Sequence, residues 1–181
     1  FIDLSVGARH ACAIDRGHAL YCWGHDDFGQ LGLGTSPSPS AHKEIPTRVD
    51  TNEDWQAVAL AGNSSCGIRG ADGVGSVWCW GDVVSATQHP HAPAQVGSNS
   101  DWSLITAGPR HWCGLRGPTR EAFCWGDNTF GKIGSFGAPG GNIDLPLPVT
   151  IAAAPSSGWL TLAPGAGHTC GLQADGSLYC W

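Results

Sequence analysis

The chain is most easily read from what it lacks. Methionine is absent, lysine occurs only at Lys43 and Lys132, and charged residues make up 13% of 181 positions. A phosphate-tracking surface needs clustered Lys and Arg. The formal charge of -6, with seven arginines spread along the chain, therefore argues against a nucleic-acid partner. No run of eighteen apolar residues occurs, so no segment of this stretch is expected to insert directly into a membrane. Nucleophile-elbow, zincin, Walker, dinucleotide-glycine and calcium-loop signatures are also absent. That leaves no catalytic residue, metal or cofactor to assign. Long helical periodicities are missing as well, and Gly 27 with Pro 12 suits turns joining short strands.

What is present is a repeat. The stretch HACAIDRGHALYCWG from His10 returns as SSCGIRGADGVGSVWCWG from Ser64, HWCGLRGPTREAFCWG from His111 and HTCGLQADGSLYCW from His168. A lead aromatic stands eleven positions before the first cysteine each time: Phe1, Trp55, Trp102 and Trp159. Such regular self-similarity defines a repeat protein. The units are 1–54, 55–101, 102–158 and an incomplete 159–181. Residue 1 already lies inside a unit, so the chain is expected to be an excerpt of a longer polypeptide.

Each unit opens on a strand whose apolar residues alternate, as at Trp55, Ala57 and Ala59, and a Gly-containing step follows at Gly7, Gly62, Gly108 and Gly165. Two cysteine-bearing strands then flank a turn carrying Asp15-Arg16-Gly17, Asp72-Gly73, Arg116-Gly117-Pro118 or Asp175-Gly176, which is a hairpin signal. The second strand ends on aromatic-Cys-Trp. Asp27-Phe28-Gly29-Gln30-Leu31-Gly32 and Asn128 to Gly134 follow in units one and three, whereas unit two has Val83-Val84-Ser85-Ala86. Proline-led strands at Pro46, Pro93 and Pro146 return the chain to the next unit, a strand position that proline tolerates. Four short strands cannot bury both their faces alone and must stack on neighbours. The expected fold is therefore all-β, a β-propeller forming a partial ring of about three to four four-stranded blades.

The eight cysteines form one pair per unit: Cys12/Cys22, Cys66/Cys79, Cys113/Cys124 and Cys170/Cys180. Each pair faces across its hairpin, where a non-hydrogen-bonded position brings Cα atoms within reach of a disulfide. Four disulfides and an oxidising compartment are expected; the competing reading is eight reduced cysteines packed as small apolar residues. His10, His111 and His168 each precede a cysteine by two positions. They are spread over separate units, so structural histidines are expected rather than a zinc site. Asp26, Asp82 and Asp127 recur after Trp-Gly, as turn caps rather than as a converging acid/base pair. Trp112 stands where the other units have Ala11, Ser65 and Thr169, and it is the candidate for an exposed ligand contact, against local repacking of one blade. Asn63-Ser64-Ser65 is the single N-glycosylation sequon.

The run Ala-Gly-x-x-His-x-Cys-x-Leu, Asp-Gly, Cys-Trp-Gly, Gly-Gln-Leu-Gly and Pro-x-x-Val resembles the repeats named for the regulator of chromosome condensation. The likeness spans all four units. It implies a propeller, most often of seven blades, of which about half a ring would be present. The cysteine pairing is most similar to the extracellular variant found in crinkly-type receptor kinases and in secreted microbial proteins. The resemblance implies a non-catalytic recognition module outside the cell, possessing variable loops that bind a protein or peptide. Its alternatives are an intracellular guanine-nucleotide exchange factor or adaptor for a small GTPase, and a structural component of an extracellular assembly completed by other chains or further blades.

Overall fold

The computed structural model describes residues 1–35, 38, 41–82, 90–135, 137–150 and 157–181. The unit-two segment Val83-Val84-Ser85-Ala86 and most of the Ser/Pro-rich stretch after Thr35 lie outside these residues. The chain forms antiparallel strands arranged as the blades of a partial β-propeller. Unit one comprises β1 (Asp3–Val6), β2 (His10–Ile14), β3 (Leu20–His25) and β4 (His42–Arg48), paired in that order. Unit two has β5 (Trp55–Ala61), β6 (Ser64–Ala71), β7 (Val74–Gly81) and the two-residue β8 (Ala94–Gln95). Unit three has β9 (Trp102–Ala107), β10 (His111–Arg116), β11 (Glu121–Asp127) and β12 (Asn142–Pro148). β13 (Trp159–Pro164), β14 (Thr169–Gln173) and β15 (Leu178–Cys180) make the three-stranded sheet of unit four. A bridge from Gly75 in β7 to Trp102 in β9 joins the sheets of units two and three.

The hairpin register explains the cysteines. Cys12 pairs with Cys22, Cys66 with Cys79, Cys113 with Cys124 and Cys170 with Cys180, each at a Cα separation of 4.1 Å and each bonded. No cysteine is left free. The bonds close loops of only ten to thirteen residues. Restricting the unfolded chain that little contributes roughly 2–3 kcal/mol per bond.

Packing runs from blade to blade. One core joins Cys12, Ile14, Leu20, Cys22 and Leu31 of unit one to Trp55, Val58, Leu60 and Trp80 of unit two. A second joins Ala59, Cys66, Ile68 and Val77 to Trp102, Trp112 and Trp125, and a third joins Cys113, Leu115 and Cys124 to Trp159 and Leu162. Thus each of the first three disulfides shares a core with the lead Trp of the following unit. Burying one such indole removes on the order of 150–250 Å² from water, roughly 4–6 kcal/mol before entropic costs.

The lead Trp also explains the glycine after the first cysteine. A Cβ at Gly67, Gly114 or Gly171 would come within 2.7, 2.9 or 2.4 Å of the indole of Trp55, Trp102 or Trp159. Unit one has the smaller Phe1 as its lead aromatic and accommodates Ala13 at the same position. Within units two, three and four the lead indole meets the closing Trp edge to face, at 5.7 Å for Trp55 with Trp80, 5.8 Å for Trp102 with Trp125 and 5.9 Å for Trp159 with Trp181.

Candidate binding face at the loop end

Strand direction gathers two kinds of loop at one end of the propeller. In each unit the inner strand runs to the glycine step there, and the third strand returns to the same end at Trp-Gly. The inner strands β1, β5, β9 and β13 lie side by side, and the glycine steps surround an opening of about 320 Å³ lined by Val6, Gly7, Gly62, Ala107, Pro109 and Pro164 among others. The Ala8 amide donates to the Gly62 carbonyl at 3.1 Å and ties two of the steps together.

The loops after Trp-Gly are held by side-chain caps. Asp26 accepts from the Leu31 amide at 2.9 Å, and Asn128 accepts from the Ile133 amide at 3.3 Å. The expectation that Asp26, Asp82 and Asp127 play one repeated role is corrected by this register. Asp82 and Asp127 directly follow Trp-Gly, whereas Asp26 stands one residue later, in line with Asn128. Burial pushes the Asp26 carboxyl up, outweighing its bond from Leu31. Asp127 instead receives the Lys132 ammonium at 2.8 Å and the Thr129 hydroxyl and amide at 2.6 and 2.9 Å. Burial opposes its ionisation, yet those donors prevail and hold its carboxyl well below the usual carboxylate range.

The first-strand histidines link blades. His10 Nε2 lies 2.8 Å from the Ser65 hydroxyl of the next unit, which donates at 2.9 Å to the Gln30 carbonyl of His10's own unit. The Trp80 indole N–H reaches the same carbonyl at 2.9 Å. In units three and four the arrangement recurs: His111 Nε2 is 2.7 Å from the Thr169 hydroxyl, which donates at 2.8 Å to the Lys132 carbonyl. A hydroxyl has one proton, and here it goes to the carbonyl; the imidazole must therefore donate through Nε2–H, while its Nδ1 is buried and meets no acceptor, which suits the neutral ring. Desolvation favours the same state, lowering His10 to about 4 and His111 to about 4, where Lys132 adds a smaller push. These histidines bond a hydroxyl in the neighbouring blade rather than the backbone directly. His168 is exposed. Among the described residues no three His, Cys, Asp or Glu side chains converge as a metal site would require.

Between units two and three the link is rewritten. Unit two has Ser64 at the histidine position, and its hydroxyl turns back to the Ala61 carbonyl at 3.0 Å. Unit three has Trp112 where a hydroxyl would stand. Trp112 is 1% exposed and packs with Ala59, Ala61 and Cys66 of the preceding unit. The expectation that it reaches an exposed edge or a ligand is therefore corrected. A small residue replaces the imidazole on one blade, and an indole on the next fills the space.

Asn63 occupies the turn between β5 and β6, half-buried, with its carbonyl accepting from the Asp82 amide at 3.0 Å. Its register is that of Arg9 and Arg110, which are largely exposed. The sequon's Ser65 hydroxyl is fully buried in the first interblade link.

Reading the arginines as scattered missed two repeated columns. Arg9 and Arg110 each precede the histidine position and approach Asp27 and Asp127 at 3.8 and 3.9 Å. At the opposite end Arg69 and Arg116 pair with Asp54 and Asp101, the residues before the lead tryptophans, at 2.9 and 3.3 Å. Stacking over the aromatics of their own blade adds to those pairs, with Arg69 4.7 Å from the Trp78 ring and Arg116 4.9 Å from that of Phe123. Phe28 and Phe130, at matching loop positions, are exposed. Lining up the four units column by column exposes all three patterns in the sequence.

Comparison with known proteins agrees with this architecture. Models of the regulator of chromosome condensation (RCC1) repeat match residues 1–30 and 18–68. The ultraviolet-B receptor UVR8 of Arabidopsis thaliana is 26% identical over 185 residues, covering 98% of this chain and 40% of the receptor. Yeast RCC1 (Prp20), solved with Kap60 bound, superposes with a TM-score of 0.75 at 20% identity over 98% of this chain and 42% of its own. The CRINKLY ectodomain of the Arabidopsis thaliana receptor kinase ACR4 superposes with a TM-score of 0.53 at 23% identity, covering 98% of this chain and 48% of that one. The chain thus spans less than half the length of each.

Proposed function

We propose that this chain is a run of RCC1-type propeller repeats in their cysteine-paired form, and that it is a non-catalytic binding module working outside the cell. In this reading the loop end recognises a protein or peptide. One observation carries the compartment: all eight cysteines are bonded, one pair inside every blade. A reducing compartment would leave such bonds open. The ectodomain likeness supports the reading at the level of fold. Recognition rests on the geometry of the loop end, where capped loops present exposed side chains on a rigid, cross-braced scaffold. The proteins named in the comparisons include a receptor and a protein solved with a bound partner, which supports a binding role.

The experiment is a free-thiol count on the protein from its natural source, denatured without reductant. The expected count is zero; eight free thiols would defeat the extracellular reading. In that event the second reading stands, an intracellular adaptor or exchange factor for a small GTPase, favoured by the closer superposition of yeast RCC1. A secreted chain would also carry a glycan at Asn63. The glycan would be attached before Ser65 is buried, and glycosidase treatment of the secreted protein would lower its mass.

A further inference from the structure

We propose that the loop end around Phe130 and Arg110 docks an acidic, extended segment of a partner protein, with Phe130 as the apolar anchor and Arg110 as the charge partner. The inference rests on the binding-module reading and gives it a surface and a partner chemistry.

Phe130 lies in the short 3-10 turn Thr129–Gly131 and is 88% exposed. Its φ of 71° and ψ of 11° place a bulky residue in the left-handed region, where a β-carbon crowds the backbone and glycine is the usual occupant. The fold recovers almost nothing from that ring, whose nearby neighbour across the blades is the bare backbone of Gly167. A strained, solvent-facing aromatic on a loop points to a use beyond folding. Phe28 at the matching position of unit one is also exposed, without the left-handed backbone.

At the base of the same loop two cations share one carboxylate. Asp127 takes the Lys132 ammonium at 2.8 Å, and Lys132 is itself buried. Arg110 stands 3.9 Å from the same carboxylate with 69% of its side chain exposed. Charge there sums to +1, on a chain whose total is -6. An exposed guanidinium and an exposed aromatic ring at the same loop end match the residue types that dominate protein interfaces, and a carboxylate is what a planar guanidinium binds in a bidentate manner. One surplus cation is enough for a short acidic segment, whereas a nucleic-acid strand would meet the repulsion of the whole molecule.

The test uses the full 181-residue chain and an array of short synthetic peptides in three sets: Asp/Glu-rich with one Leu or Phe, the same peptides with Asn/Gln in place of Asp/Glu, and Lys-rich. Acidic peptides are expected to bind and their amide counterparts to bind about tenfold weaker or worse. Phe130→Ala and Arg110→Ala should each weaken binding by about tenfold. Phe130→Gly should lose binding while raising the urea midpoint, which separates the anchor from the scaffold. Binding that is indifferent to peptide charge, or unchanged in both alanine variants, overturns this inference and leaves the module reading intact. Preference for a single-stranded DNA oligonucleotide over every peptide overturns it as well. Failure of the folded chain to bind any peptide or oligonucleotide overturns both.

Discussion

Acid should loosen the blade interfaces before it protonates the carboxylates. His10 and His111 are buried and neutral, with pKa values lowered to about 4 by desolvation, while an unfolded histidine titrates near 6.5. The folded state therefore binds a proton less readily than the unfolded state. The stability this represents is fully present above pH 6.5 and is lost as pH falls from 6.5 toward 4. The fall from 6.5 to about 4 corresponds to roughly 3 kcal/mol per histidine when complete, and by pH 5.5 to about 1.4 kcal/mol each. Together the pair lowers stability by roughly 3 kcal/mol between pH 8 and pH 5.5. Asp127, whose carboxyl lies well below the usual range, has the same sign but acts only near and below ordinary carboxylate pKa values; Asp26, pushed up by burial, acts there with the opposite sign. The assay is urea unfolding with disulfides intact at those two pH values, for the parent chain and for His10→Gln with His111→Gln. With an m-value of about 2 kcal/mol/M the parent midpoint should fall by about 1.5 M. The double variant should be weaker at pH 8 and keep little of the shift. A parent midpoint unmoved between the two pH values, or a double variant retaining the whole drop, would refute the reasoning.

Three further perturbations address the packing. Trp112→Ala should cost about 3–5 kcal/mol by opening a cavity at the second interface, and Ser64→His combined with Trp112→Ser should recover part of that loss by rebuilding the histidine–hydroxyl link, measured by thermal and urea unfolding. Gly114→Ala should destabilise by about 1–3 kcal/mol, because its methyl would sit 2.9 Å from the Trp102 ring, while Gly73→Ala meets no neighbour and answers only to its positive φ. Replacing Cys12 and Cys22 together by Ala should lower stability by roughly 2–3 kcal/mol without changing far-UV dichroism, since the hairpin register persists through its backbone pairing.

Much of the architecture was legible in the residues because it depends on short-range chemistry. A hairpin turn a few residues long places Cys12 opposite Cys22 whatever the rest of the molecule does, and four copies at similar spacing require stacking. Glycine after cysteine and Trp as lead aromatic are legible too once the units are aligned, since Gly67, Gly114 and Gly171 accompany Trp55, Trp102 and Trp159, and Ala13 accompanies Phe1. The site was less legible. Trp112 looked like an outward-facing exception within its own blade, and its role became visible only against the Ser64 position of the blade before it.

By itself the sequence determined the repeat, which recurs along the chain, and the alternation of strands and the pairing of sulfurs, which turn geometry and side-chain period decide within a single hairpin. Tertiary structure alone decided which surfaces meet. His10 finds Ser65 across 55 residues and His111 finds Thr169 across 58, because a hydrogen bond between blades is set by how two sheets lean together. The same lean buried Trp112 and left Phe130 in solvent.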